Sequence, residues 1–465
     1  MGDISRHLDI FLSTRAAIPA GLLADAGLTV ADLTYVELGN FLTDVSQFRD
    51  PVAYTLALPD AQQREALAEF FRELVSGTTH ALFGDDGCRR SDGVWAAIDP
   101  IPAARVTEVY DEFFTQYYPH EHADQPPYVW EASQRSSDPL YRPSARGVMT
   151  VVDDHYVAYL AEGLMEVEDD WRTLDLAGRQ RLLVRLGKLL HGVEDWFFHS
   201  NVAELLELGP FGREPGESDE DLLRRFVTAT ARRRPEFVAA DPVGLVRLRR
   251  RLYRRLRFPT PDGGTVPALR HAYPGFPTSQ DTADTLLQAL DELKLPPTAF
   301  QDGVGELVTQ YAVEVLQPLV DASAAATAVL DEKGEIFGQA ADNGAFAEVV
   351  GSHSLMSKDT PTSEPFFEDA RTLATVASSI VVALLLHQVA VPAGDRPLGW
   401  DQILRRLIRY PPPSAGWERR ALAGEQVHPE FARLAEDTTR PPGCSRSRRS
   451  ELEDRYRRLA QELSG

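Results

Sequence analysis

The stretch LLHGVEDWFFHSNVAELLELG, Leu189–Gly209, holds the densest set of residues able to do chemistry. His191, Asp195 and His199 stand there at i, i+4 and i+8. Four residues turn an α-helix by about 400°, so each step drifts only about 40° and the three side chains share a face. His191 and His199 are then about 12 Å apart along the axis, too far for one ion held at about 2 Å from each ligand. Two ions fit if Asp195 lies between them and joins them. The spacing therefore points to a multinuclear site rather than a single zinc. Core histidines on a polar seam are the competing structural reading, and three ligand-type residues on one face weigh against it.

Further donors lie elsewhere. Asp44 follows Asn40 by four residues in YVELGNFLTDVSQFRDP, His122 and Asp124 lie in PHEHADQPP, and His353 lies in GSHSLMSKDTP with Asp359 six residues on. Singly, each reads as a solvated loop or helix-edge residue. No Gly-x-Ser-x-Gly elbow, Walker loop or dinucleotide fingerprint stands in a strand-to-helix context. A ligand set of histidine and carboxylate without thiolate suits zinc, with manganese or iron as alternatives.

The elements that must position these residues read as helices. Gln62–Val75, Leu176–Leu208, Ser218–Arg232, Thr282–Leu295, Val304–Leu330 and Ser450–Leu463 show apolar residues at three- and four-residue spacing. Alternating runs are short, Val148–Val152 being the best strand candidate, and Tyr118–Pro143 and Phe258–Thr278 read as loops. The expected fold is mainly α: a metal-centred helical bundle with long loops. Residues 1–208 form the first part of its core and 301–410 the second. A basic helical segment at 209–300, rich in arginine between Arg232 and Arg257, is inserted between them, and 411–465 form a C-terminal extension, flexible in part. Thr372–Gly394 contains no Asp, Glu, Lys or Arg and has the length of a membrane span. Its Thr, Ser, His387 and Gln388 favour a buried core helix instead.

The chain has 465 residues and a formal charge of −22, from 48 Lys plus Arg against 70 Asp plus Glu. That balance argues against a duplex-DNA binder, whose affinity comes from many cationic phosphate contacts. Two cysteines make neither a disulfide framework nor a cysteine metal knuckle. They fit a reducing compartment, and the N-terminal residues lack the basic-then-apolar secretory pattern, so the default expectation is cytoplasmic.

The segments GNFLTDVSQFRD, EHADQP, LHGVEDWFFHSNVAEL and HSLMSKD, in that order, resemble the heterokaryon-incompatibility HET-C family. GDISRHL looks like that family's N-terminal stretch, with Met1 where the family shows His. The family is in turn similar in ligand order to helical zinc-dependent phospholipases C and zinc single-strand nucleases. That resemblance implies two or three zinc ions on Asp44, His122, His191, Asp195, His199 and His353. It implies that His7 completes one site only if the chain turns back, and it leaves Asp359 at an unusual spacing from His353. Asn40, Asn201 and Glu194 are expected to partner the other ring nitrogens. The implied activity is phosphodiester hydrolysis of phospholipase C type on a phospholipid or other phosphodiester, with Asp44 orienting or deprotonating the attacking water and Asp195 joining the ions. The alternative the family allows is a non-enzymatic incompatibility or toxin protein, with structural metals, acting at a membrane surface or on protein partners.

Overall fold

A computed structural model describes residues 4–46, 61–85, 94–115, 118–123, 150–200, 366–390, 397–409 and 416–438, with shorter pieces at 144, 146, 148, 202, 203, 206, 232, 257–259, 265–267, 453, 454 and 458. The helices are α1 (Ile4–Ala17), α2 (Ala20–Asp25), α3 (Thr34–Val45), α4 (Ala61–Phe83), α5 (Ala103–Phe113), α6 (Val157–Trp171), α7 (Leu176–His199), α8 (Phe367–Ala390), α9 (Trp400–Leu407), α10 (Trp417–Leu422) and α11 (His428–Asp437). The protein is mainly α, as its periodicity predicts. The expected helices at Ser218–Arg232, Thr282–Leu295 and Val304–Leu330 and the inserted arginine-rich segment lie almost wholly outside the described residues.

Helix α7 is the axis of the core, packed against α3, α6 and α8. It starts where the Asp175 carboxylate accepts the Gly178 backbone N–H at 2.8 Å, an N-cap that satisfies one of the orphan donors of the first turn. The α3–α7 crossing is set by two glycines. A Cβ on Gly39 would lie 1.9 Å from the Val184 carbonyl oxygen, and one on Gly187 would lie 1.8 Å from that of Val36. Only glycine permits this backbone-to-backbone approach, and it places the face of α3 bearing Glu37, Asn40 and Asp44 against the face of α7 bearing His191, Glu194 and Asp195.

The charge-free stretch folds as α8, packed on α1, α2, α7 and α10. Among the described residues it is the one helix long and apolar enough to cross a membrane, yet 67% of its apolar window is buried inside the protein. Leu373, Ala377, Ile380, Val381 and Leu385 are in the core. The polar pair sits at its end: His387 is exposed, and Gln388 donates to Glu168 at 3.3 Å. Burial on several sides explains why the helix lacks a polar face.

Residues beyond 410 contribute to this same core. Trp417 and Phe431 are fully buried, and the Trp417 ring meets Phe197 of α7 edge-on at 6.0 Å. Two local expectations are corrected. Val148–Val152 is not a strand: Val151–Tyr156 forms a wide π turn that runs directly into α6. The β-branched run follows its helical continuation because Val152 and Tyr156 are thereby buried, and the Tyr156 hydroxyl reaches the Gly192 carbonyl. Within the expected loop at Phe258–Thr278, β1 (Arg257–Pro259) pairs antiparallel with β2 (Thr265–Pro267).

Candidate metal centre

Five pieces of chain meet around Asp195. Helix α7 supplies His191, Glu194 and Asp195, α3 supplies Glu37, Asn40 and Asp44, and α1 supplies His7. A 3-10 turn at Pro119–Glu121 presents His122, and α8 supplies Ser378. All of these side chains are buried. Asp195 lies within contact of three histidines: its Oδ2 is 2.9 Å from His191 Nε2 and 3.6 Å from His122 Nδ1, and its Oδ1 is 3.4 Å from His7 Nε2.

The surrounding hydrogen bonds orient the rings. Asn40 Nδ2 donates to Glu194 Oε2 at 2.9 Å, so Asn40 Oδ1 is the atom that accepts the His191 Nδ1–H at 2.8 Å. His7 Nδ1–H donates to the same Glu194 Oε2 at 2.6 Å, and Ser378 donates to Oε1 at 2.8 Å. With Nδ1 of each ring taken by Asn40 or Glu194, His191 and His7 turn their Nε2 atoms toward the oxygens of Asp195. Burial holds the His191 imidazole well below its ordinary pKa, against the opposing pull of Asp195, and nearby His7 lowers it further. Rings oriented through the other nitrogen are the habit of metal-bound histidine.

Two triads have donor atoms mutually within 4.8 Å: His7, His191 and Asp195, and Asp44, His122 and His191. These buried groups can hold a metal ion. His191 belongs to both, but with Nδ1 committed to Asn40 it has one nitrogen to offer and serves one ion. His122 also approaches His191 ring to ring, with Nδ1 2.9 Å from Nε2.

Of the six expected ligands, Asp44, His122, His191 and Asp195 come together here. His199 is the last residue of α7, but its side chain, like His353, Asp359, Asp124 and Asn201, lies outside the described residues. The condition set for His7 is met: α1 packs along α3 and α8 and brings His7 to Asp195. Asn40 and Glu194 partner ring nitrogens as expected. Glu37 was not anticipated. It is wholly buried, neither of its oxygens has a hydrogen-bond partner among the described residues, and burial, then Glu194, raise its carboxyl well above the ordinary 4.5. The signal for it was its i, i+3, i+7 spacing with Asn40 and Asp44.

Beside the centre, Glu121 Oε1 accepts from Lys188 Nζ at 2.9 Å and from the Tyr159 hydroxyl at 3.2 Å. The His120 ring stands edge-on to Tyr159 at 4.8 Å. This network clamps the turn that carries His122 onto α7. Comparison with protein-family models, with curated proteins and with solved structures returns no match to this chain.

Proposed function

We propose that the chain is a zinc-dependent phosphodiester hydrolase of phospholipase C type. The observation that carries the reading is the pair of imidazole Nε2 atoms turned toward the two oxygens of Asp195 in a buried site built from nitrogen and oxygen donors. His7, His191 and Asp195 would hold one ion, and His122 with Asp44 a second, Asp195 being the carboxylate near both sets. Zinc at such a site supplies Lewis acidity toward a phosphoryl oxygen and makes water a better nucleophile near neutral pH. The protein's own part is to hold the imidazoles in one orientation through Asn40 and Glu194. Asp44 is the carboxylate placed to orient the attacking water and take its proton. Lipid is favoured over nucleic acid as substrate, because a net charge of −22 repels a polyanion.

One observation favours a second reading, in which the metals are structural and the chain is a HET-C-like incompatibility or toxin protein: His122 and His191 are completely buried. The test is metal analysis of purified protein followed by assays on choline phospholipid and single-stranded nucleic acid, with and without chelator. Hydrolysis that chelator abolishes, zinc restores and His191→Ala removes is the expected outcome. Bound zinc without hydrolysis of either substrate would favour the structural reading, and protein without a transition metal would sink both.

A further inference from the structure

We propose that Ser378, on α8, is a positioning residue of the metal centre: its hydroxyl holds the Glu194 carboxylate in the orientation that aims His7 and His191 at Asp195. The inference rests on the centre being a metal site, and not on its being an enzyme. Glu194 is 2% exposed, so its oxygens draw their donors from the protein and not from bulk water. Oε1 receives the Ser378 hydroxyl at 2.8 Å, while Oε2 meets His7 Nδ1 at 2.6 Å and Asn40 Nδ2 at 2.9 Å. Asn40 in turn meets His191 Nδ1 through Oδ1 at 2.8 Å. One carboxylate therefore sets both rings of the triad with Asp195, one directly and the other through an amide.

The last torsion of a glutamate is broad and roughly two-fold, so nothing within the side chain fixes the plane of its carboxylate. Two donors on Oε2 pin one oxygen. A donor on Oε1 is needed to set the plane, and Ser378 is that donor among the described residues. Its neighbour shows that burial in α8 does not by itself require this contact. Ser379 is also buried, but its hydroxyl donates to the Thr375 carbonyl one turn back at 2.7 Å. That is the local bond by which a helix commonly accommodates a serine. Ser378 instead reaches across to α7, from a helix whose adjoining Ala374, Ala377 and Val381 are apolar and buried.

The decisive experiment titrates zinc into the metal-free full-length protein against a competing chelator, for wild type, Ser378→Ala and Ser379→Ala, with cobalt(II) spectra and urea unfolding alongside. Ser378→Ala is expected to weaken one zinc equivalent about 10-fold, the lower end for loss of a group behind a metal-bound histidine, because Ser378 acts through Glu194. The other equivalent should be unchanged, and the cobalt absorption bands should shift. Ser379→Ala removes a buried hydroxyl from the same helix without touching Glu194. It should keep wild-type zinc affinity and cobalt bands, whatever it does to the urea midpoint. Wild-type affinity with a wild-type cobalt spectrum in Ser378→Ala, or equal weakening in Ser379→Ala, would overturn the proposal while leaving the metal site standing. A wild type that binds no zinc would overturn the metal site, and this assignment with it. Should Ser378→Ala fail to fold, a structure of the zinc-loaded wild type decides. Ser378 on Glu194, with Glu194 on a His7 ring that meets the ion through Nε2, supports the assignment, and a Glu194 turned away from either overturns it.

Discussion

Glu168 and Glu37 are both buried acids, and the protein treats them in opposite ways. Glu168, on α6, receives the Trp400 indole N–H at 2.9 Å, the Leu398 backbone N–H at 3.4 Å and the Gln388 amide at 3.3 Å. Nearby in the same half of the core, Glu418 is gripped by both arms of Arg409 at 2.7 and 2.8 Å. Those acids are closed by protein donors, and they fasten α6, α8, α9 and α10 together. Around Asp195 the acids are instead crowded among histidines, and both Glu37 oxygens lack a hydrogen-bond partner among the described residues. The first pair of acids is closed by protein donors, while the second region gathers buried acids and histidines in a grouping that could hold a cation.

The strongest way to break this contrast is Gly187→Ala. Its new methyl would collide with the Val36 carbonyl and push α3 from α7. The expected cost is about 3 kcal/mol in denaturant unfolding, with zinc binding weakened as Asn40 and Asp44 move away from their partners. Retained stability and retained zinc affinity would mean that the crossing does not position the centre.

Arg409→Ala sharpens the contrast from the other side. It strands Glu418, and the expected loss is about 2 kcal/mol, at the lower end for a broken ion pair because Arg409 keeps some contact with solvent. The stabilisation gained on adding zinc should nevertheless be unchanged from wild type. A zinc increment that shrinks in this variant would show that the two regions are not independent.

The smallest effect is a pH slope in the metal-free chain. The folded-state pKa of Glu37 is raised above its ordinary 4.5, so the folded protein binds a proton there that the unfolded chain releases. Stability from this group is therefore fully present below about 4.5 and is lost as pH rises toward the folded value. Urea midpoints measured across that range should fall in wild type and flatten in Glu37→Gln. His191 has the opposite sign, since its lowered value costs stability as pH falls below 6.5, so it is the difference between wild type and Glu37→Gln that isolates the Glu37 slope.

How much of this was legible in sequence follows from distance along the chain. Within α7, the spacing of His191 and Asp195 is local, and helical geometry alone places both on one face. Asn40 and Asp44 were readable for the same reason. The pairing of His7 with Glu194 spans 187 residues, and no periodicity reports such a contact. Glu37 was hidden by its type, since an acid in a helix ordinarily marks the solvent face, and only the glycine crossing turns that face inward. Val148–Val152 misled because β-branched residues favour strands locally, while the burial of Val152 and Tyr156 favoured a helical turn. The crossing glycines themselves are visible one at a time, but that Gly39 meets Val184 and Gly187 meets Val36 is tertiary information.

The Ser378–Glu194 hydrogen bond closes a loop of 184 residues, and it sits behind the carboxylate that orients His7. During synthesis at about 5–20 residues per second, roughly 10 to 40 s pass between the emergence of one partner and the other. Through that interval α1, α3 and α7 can associate, but α8, the helix that fills the remaining side of α7, does not yet exist. Completion of the hydrogen-bonded frame around Glu194 is in this way a late event: it waits for the second half of the core to arrive.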